Sequence, residues 1–109
     1  MIDRGRMEQS LLFLSESDEE VAQLKTNVKR AEYLLKRKEA HAYLAQTEGS
    51  VKERECKAKT ADEVVQAYEE HTDAMEAYER LAAKRETAVL IIELYRTLEA
   101  SRRTGGITN

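Results

Sequence analysis

Residues 60–103 read TADEVVQAYEEHTDAMEAYERLAAKRETAVLIIELYRTLEASRR, and large apolar side chains recur along this whole stretch. Its apolar residues recur at the three- and four-residue spacing of one helix face, with a small shift near residue 80. The members of this stripe are Val64, Tyr68, Met75, Tyr78, Leu81, Ala88, Ile91, Tyr95 and Leu98. The spacing predicts one long helix, whose apolar face must be covered by another helix from this chain or from a second copy.

The first half of the chain supplies a second predicted helix, with a heptad repeat of mostly apolar residues. The repeat consists of Val21, Leu24, Val28, Ala31, Leu35, Lys38, Ala42 and Ala45. Upstream, Ser17 and Glu20 fit a capping box that would start a new helix there. No Gly or Pro interrupts this region, so we favour a helix that continues through Ser15–Ser17. We expect it to end near Glu48, with Gly49 as its left-handed cap.

Two further capping boxes mark the connection between these helices. Ser50 with Glu53 predicts a short helix from Val51 to Lys59, and Thr60 with Glu63 predicts the start of the long helix. A connection this short implies that the two long helices are antiparallel.

Antiparallel folding about residues 50–60 predicts a register. It places Lys38 near Glu69, and Arg85 near Glu19 or Glu20, so that each charge that interrupts an apolar stripe gains a partner. Such pairs fix a register at little net energy. We expect a single helical-hairpin domain over residues 1–109, with flexible ends at 1–6 and 104–109.

Composition supports an all-α, coiled-coil-like hairpin that self-associates. Charged residues make up 36% of the chain, proline is absent and there are only four glycines. A two-helix hairpin rarely buries enough surface to be stable alone, so we predict a homo-oligomer. The predicted interface consists of Leu81, Ala88, Ile91, Ile92, Tyr95 and Leu98.

Several functional classes are disfavoured by the sequence. Neither His41 nor His71 has the Glu three residues earlier that a carboxylate-bundle metal site requires, so we expect no metal and no cofactor. Cys56 is the only cysteine, and no phosphate-binding loop or nucleophile motif is present, so we expect no enzyme activity and no small-molecule substrate. No signal peptide or membrane span is predicted, which favours the cytoplasm.

Charge is unevenly distributed along the chain, and this points to nucleic acid. Residues 29–59 carry nine basic and five acidic groups, whereas both flanking segments are acidic overall. In the hairpin this basic segment forms one tip, where Tyr33, His41 and Tyr43 offer rings for stacking on bases. The candidate nucleic-acid-binding residues are Lys29, Arg30, Lys36, Arg37, Lys38, Lys52, Arg54, Lys57 and Lys59.

Two alternatives remain open. The acidic residues from Glu69 to Glu79 could bind a basic protein surface and inhibit a host nuclease or another DNA-processing enzyme. Alternatively, the chain could be a scaffold or adaptor whose only activity is coiled-coil association.

Four segments carry a resemblance to a group of known proteins: EGSVKER at 48–54, YERL at 78–81, IIELYR at 91–96 and ASRR at 100–103. With their surroundings, over roughly residues 20–103, they resemble small helical proteins of tailed bacteriophages and prophages found among recombination or replication genes. The resemblance implies a non-enzymatic accessory role: loading or modulating a recombinase, binding single-stranded DNA, or inhibiting a host nuclease.

Overall fold

The chain is all-helical, as the sequence predicted. A computed structural model describes residues 2–108, and within them there are three helices and no strand. Helix α1 spans Arg4–Leu44, α2 spans Val51–Lys59 and α3 spans Asp62–Thr108. None of these helices is long and apolar enough, within the described residues, to cross a membrane.

Helix α1 is continuous through the serine-rich segment. The Oδ1 atom of Asp3 accepts a hydrogen bond from the backbone N–H of Arg6 at 2.8 Å, which caps the first turn. Ser17 does not start a new helix, because its hydroxyl donates to the Phe13 carbonyl one turn earlier at 2.7 Å. The prediction of an uninterrupted helix is confirmed, and the capping-box reading of Ser17 is wrong.

The connection from α1 to α2 agrees with the sequence prediction in part. Helix α1 ends at Leu44, four residues earlier than expected. Gly49 does adopt positive φ, at 99°, but in the connection rather than as the cap of α1. A Cβ atom there would lie 2.8 Å from the Glu53 carboxylate, which can rotate away, so the positive φ is what favours glycine at this position. The Ser50 hydroxyl accepts from the Glu53 N–H at 3.2 Å, which confirms the start of α2.

Thr60 has a role opposite to the predicted one. Its hydroxyl donates backward to the carbonyls of Cys56 and Lys57, at 3.2 and 3.1 Å, and it closes α2. The predicted Thr60–Glu63 capping box is therefore wrong, because the hydroxyl is already engaged behind it. Helix α3 begins at Asp62 and continues to Thr108, through the segment expected to be a flexible tail. Met1 and Asn109 lie outside the described residues.

The chain divides into two compact units. The central unit runs from Ala22 to Glu79, and the terminal unit combines the residues up to Val21 with those from Arg80 onward.

In the central unit, α1 and α3 are antiparallel and joined by α2. Lys38 lies beside Glu63 and Glu70, whereas Glu32, almost two turns earlier in α1, lies within electrostatic reach of His71. The core consists of Ala42, Ala58 and Val64, one from each helix. Partly buried side chains that pack against it are Leu35, Tyr43 and Ala61. Predominantly small core residues allow the helices to approach closely.

The seam of α3 differs from the predicted stripe in the central unit. Ala67 is buried and His71 and Ala74 are half-buried, whereas Tyr68 and Met75, one position further on, are exposed. On α1 the apolar heptad positions are buried or half-buried up to Ala42, but Lys38 is exposed. The predicted α1 seam is thus confirmed at its apolar positions from Val21 to Ala42, and Ala45 lies beyond the helix.

The terminal unit contains a polar layer at its centre. Arg85 of α3 donates to the Leu14 carbonyl at 2.8 Å, to the Ser17 hydroxyl at 2.6 Å and to the Asp18 carboxylate at 2.7 Å. The predicted partner, Glu19 or Glu20, is wrong by one or two residues. Asp18 follows buried Ser17 directly, so its carboxylate reaches the guanidinium from the edge of the seam.

Candidate nucleic-acid interface

The solvent-facing side of α1 in the central unit carries mainly basic charges, with the exposed carboxylate of Glu32 at its edge. Seven-residue steps in a helix return to nearly the same direction, and this spacing links Lys29 to Lys36 and Arg30 to Arg37. Lys25 lies one turn before Lys29 on the same side. All five side chains are exposed and lie opposite the half-buried seam residues. We call this surface, Lys25, Lys29, Arg30, Lys36 and Arg37, the basic face.

The two acidic residues of this part of α1 lie outside the basic face. Glu32 and Glu39 are seven residues apart and flank the seam, where Glu39 is half-buried. Glu32 accepts from Lys36, with 3.1 Å between Oε1 and Nζ. This ammonium group lowers the pKa of Glu32 from its ordinary value, and the nearby His71 adds to the effect. Glu39 is therefore partly withdrawn from the basic face, whereas Glu32 contacts it through Lys36.

An aromatic ring stands in the middle of the basic face. Tyr33 lies between Arg30 and Arg37 and is 65% exposed. It lines a shallow groove with Thr26, Lys29, Arg30 and Leu34. An exposed tyrosine flanked by cations can stack on an unpaired base while the cations contact phosphates. His41 is also exposed, one turn beyond Arg37.

Among the predicted basic residues of α2, Lys59 lines a groove with Lys36 of the basic face, and Glu39 and Glu55 line the same groove. Lys52, Lys57 and Lys59 are exposed. Arg54 is half-buried, and its guanidinium lies over the Tyr43 ring, 5.5 Å from the ring centroid. Tyr43 is thereby covered on this side and does not offer the open stacking surface that the sequence suggested.

Lys38 belongs to a different environment from the rest of the predicted set. It lines a groove with Asp62, Glu63, Gln66 and Glu70 of α3. Glu70, which follows the predicted neighbour Glu69, lines this groove, and the pairing of Lys38 with Glu69 stays a prediction. The adjacent carboxylates reduce the positive potential that Lys38 can present to a phosphate.

The part of α3 in the central unit has the opposite charge. Between Asp62 and Glu79 this helix contains no Lys or Arg, and every carboxylate is exposed. We call this surface the acidic face, and its members are Asp62, Glu63, Glu69, Glu70, Asp73, Glu76 and Glu79. The central unit therefore exposes cations on one long helix and anions on the other.

Residues of the predicted oligomer interface occupy several environments within the chain. Ala88 and Ile92 are buried, Leu81, Ile91 and Tyr95 are half-buried, and Leu98 is exposed. Sequence reasoning missed a second stripe, Leu90, Leu94 and Leu98, in which each residue lies one turn from the next. All three are at least 40% exposed, as are Leu11 and Leu12 in the same unit.

Sequence reasoning also missed Lys25, which lies one turn before Lys29. Cys56 is exposed and forms no disulfide. Residues 2–108 contain no cluster of three His, Cys, Asp or Glu side chains suited to a metal ion.

Comparison with known proteins assigns no family. Family models, curated proteins and solved structures each gave no significant match to this chain.

Proposed function

We propose that this chain is a non-enzymatic, self-associating accessory protein of phage DNA recombination or replication. In this proposal the basic face of α1 binds the phosphate backbone of nucleic acid. The carrying observation is the distribution of charge around α1 in the central unit: the exposed side carries five cations, and the one exposed carboxylate, Glu32, lies at its edge, paired with Lys36. A basic stripe along one helix is the usual electrostatic footprint of a nucleic-acid-binding protein.

The dimensions of the basic face suit a short run of nucleotides. Lys25 and Arg37 are twelve residues apart, which corresponds to about 18 Å along a helix. Single-stranded nucleic acid is the preferred ligand, because exposed Tyr33 offers a stacking surface in the middle of the cations. Duplex DNA would use the cations but leave this ring without a base to stack on.

Self-association is the second part of the proposal. The exposed leucines of the terminal unit form an apolar stripe that one covering helix would remove from water. A second copy is the simplest partner, and it would also multiply the basic face. The assignment to phages and to recombination or replication rests on the sequence resemblance, and it extends to a location in the bacterial cytoplasm.

Charge reversal on the basic face tests nucleic-acid binding. In Lys29→Glu with Arg37→Glu, the affinity for a fluorescent 30-nucleotide single strand should fall by at least about fiftyfold at low salt, because two phosphate contacts become repulsive. Binding is measured by anisotropy at several salt concentrations. In the parent chain log K should fall steeply with log salt, by about 0.7 per phosphate contact.

The matched control places the same change of charge elsewhere. Lys84→Glu with Arg96→Glu reverses two exposed cations of the terminal unit. Its affinity should stay within about threefold of the parent, since distant surface charges are screened by salt. Equal loss in both variants, or no loss in either, would overturn the proposed site.

A second candidate function, inhibition of a host nuclease, is favoured by the acidic face. Such an inhibitor would present carboxylates where the nuclease expects phosphates. It should lose potency in Glu69→Lys with Glu70→Lys and keep it in Lys29→Glu with Arg37→Glu. The opposite pattern would exclude inhibition through this face. A chain that assembles but shows neither nucleic-acid binding nor nuclease inhibition would instead be a scaffold.

A further inference from the structure

We propose that the acidic face of α3 receives the basic face of α1 from a second copy of this chain. The two faces belong to one compact unit and carry opposite charges at matching intervals. Basic doublets stand at 29–30 and 36–37, and acidic doublets stand at 62–63 and 69–70. Both sets repeat at seven residues, which is about 10.5 Å along a helix.

This common interval lets both doublets engage at the same time. When α1 of one copy lies antiparallel to α3 of the next, Arg37 opposite Asp62 places Arg30 opposite Glu69. The same alignment places Lys36 opposite Glu63 and Lys29 opposite Glu70. All eight side chains are exposed. A single shift of one helix relative to the other therefore satisfies four cation–carboxylate pairs.

Within one chain this full set of four pairs is not available. The half-buried seam residues of α1 and α3 face each other, so Lys29 and Arg30 lie on the far side of α1 from α3, whereas Arg37 lines a groove with Glu63 of its own chain. Two basic faces repel each other, as do two acidic faces. The contact must therefore join unlike faces of different copies. An assembly built in this way has one basic face and one acidic face left at its two ends, where further copies can bind.

Ionic strength should control this association. Individual exposed ion pairs contribute little and are screened by salt, so the contact forms at low salt and dissociates as salt rises. The apolar stripe of the terminal unit responds differently, because burial of leucines does not depend on opposite charges. If the proposed function is correct, single-stranded nucleic acid also competes for the basic face and dissociates this contact.

Two variants test the pairing by complementation. Arg30→Glu with Arg37→Glu lowers the charge of the basic face from +5 to +1, and Glu69→Lys with Glu70→Lys reduces that of the acidic face from −7 to −3, so that each variant makes two of the four pairs repulsive. Sedimentation velocity is measured for each variant, for their equimolar mixture and for the parent, at about 20 mM and about 500 mM salt, which changes the screening length several-fold.

We expect the sedimenting mass of the parent to be larger at low salt than at high salt. Each variant alone should lack this salt-dependent increase in mass. Their mixture should regain it, because the intact acidic face of one meets the intact basic face of the other. A parent whose mass is independent of salt, or a mixture that sediments as its separate components, would overturn the proposal.

Two controls distinguish this contact from a general effect of charge and from the proposed binding of nucleic acid. Glu86→Lys with Glu93→Lys makes the same change of charge in the terminal unit and should leave the salt-dependent mass unchanged, with circular dichroism confirming that every variant is helical. The Glu69→Lys, Glu70→Lys variant should keep single-strand binding while it loses the salt-dependent component of its mass. Loss of single-strand binding alone would count against the proposed function and not against this contact.

Discussion

The two units of this chain differ in the residues that lie between their helices and in the residues that they expose. In the central unit the seam is apolar and small, and the exposed faces of α1 and α3 are highly charged. In the terminal unit the seam contains Arg85 and the buried hydroxyls of Ser10 and Ser17, while leucines of both helices are exposed. Both units expose large apolar side chains, but in the terminal unit Leu90, Leu94 and Leu98 follow one another at one-turn intervals along α3.

This difference shows that a heptad seam does not by itself define the surface that binds partners. The central unit packs apolar residues between its helices, and in our proposal its exposed charges bind nucleic acid. The terminal unit has a guanidinium network between its helices, and in our proposal its exposed leucines form the assembly interface. The following predictions test this division of roles.

The largest effect is expected from the buried and exposed apolar residues of the terminal unit. Ile92→Ala should lower the free energy of unfolding by about 2–5 kcal/mol, because it removes a buried side chain from the seam. Leu94→Glu should leave the stability of the isolated chain within about 0.5 kcal/mol, since Leu94 is exposed. Urea denaturation at low protein concentration measures both changes.

Assembly should respond in the reverse way. Light scattering at high salt, where charge contacts are screened, should show that Leu94→Glu dissociates the oligomer and that folded Ile92→Ala retains it. An oligomer that persists in Leu94→Glu would show that the exposed leucine stripe is not the interface.

An intermediate effect is expected from the polar layer around Arg85. Arg85→Ala should lower the free energy of unfolding by about 1–3 kcal/mol, because Ser17 loses a buried hydrogen-bond partner. Asp18→Asn should cost less than about 1 kcal/mol, since the Asp18 side chain is 66% exposed. Replacement of both seam groups, Arg85→Leu with Ser17→Ala, should recover most of the loss. If the double variant recovers no stability, the hydrogen-bond network around Arg85 stabilises the fold in addition to fixing the alignment of the two helices.

The smallest effect is expected in the central unit, at the carboxylate nearest the basic face. Glu32→Gln releases Lys36, so the slope of log K against log salt for a single strand should steepen by up to about 0.7. Glu39→Gln is the matched control, because Glu39 is half-buried beside the seam. Equal steepening in both variants would indicate a general charge effect.

The same substitution tests a pH dependence. The folded-state pKa of Glu32 is lowered, so its stabilising contribution is present above the ordinary glutamate pKa and is lost as pH falls through the lowered value. Glu32→Gln should abolish this small part of the acid sensitivity of unfolding.

Local interactions were the features that the sequence predicted well. The start and end of α2, the positive φ of Gly49 and the seam of α1 depend on residues within one or two helical turns of each other. The capping hydroxyl of Thr60 was assigned to the wrong helix because it can reach carbonyls behind it as easily as N–H groups ahead of it. The basic residues of the candidate site were mostly found, apart from Lys25.

Sequence alone determined that this chain is helical, where its helices are interrupted, and that cations and carboxylates fall in separate segments, because propensity, capping and charge are carried by neighbouring residues. Only the tertiary structure decided which of two overlapping stripes on α3 is buried. Small residues such as Ala67 and Ala74 pack at the seam in preference to Tyr68 and Met75, because close helix packing favours small side chains at the contact. It likewise decided which charges face water together, because that depends on the rotation of each helix about its own axis.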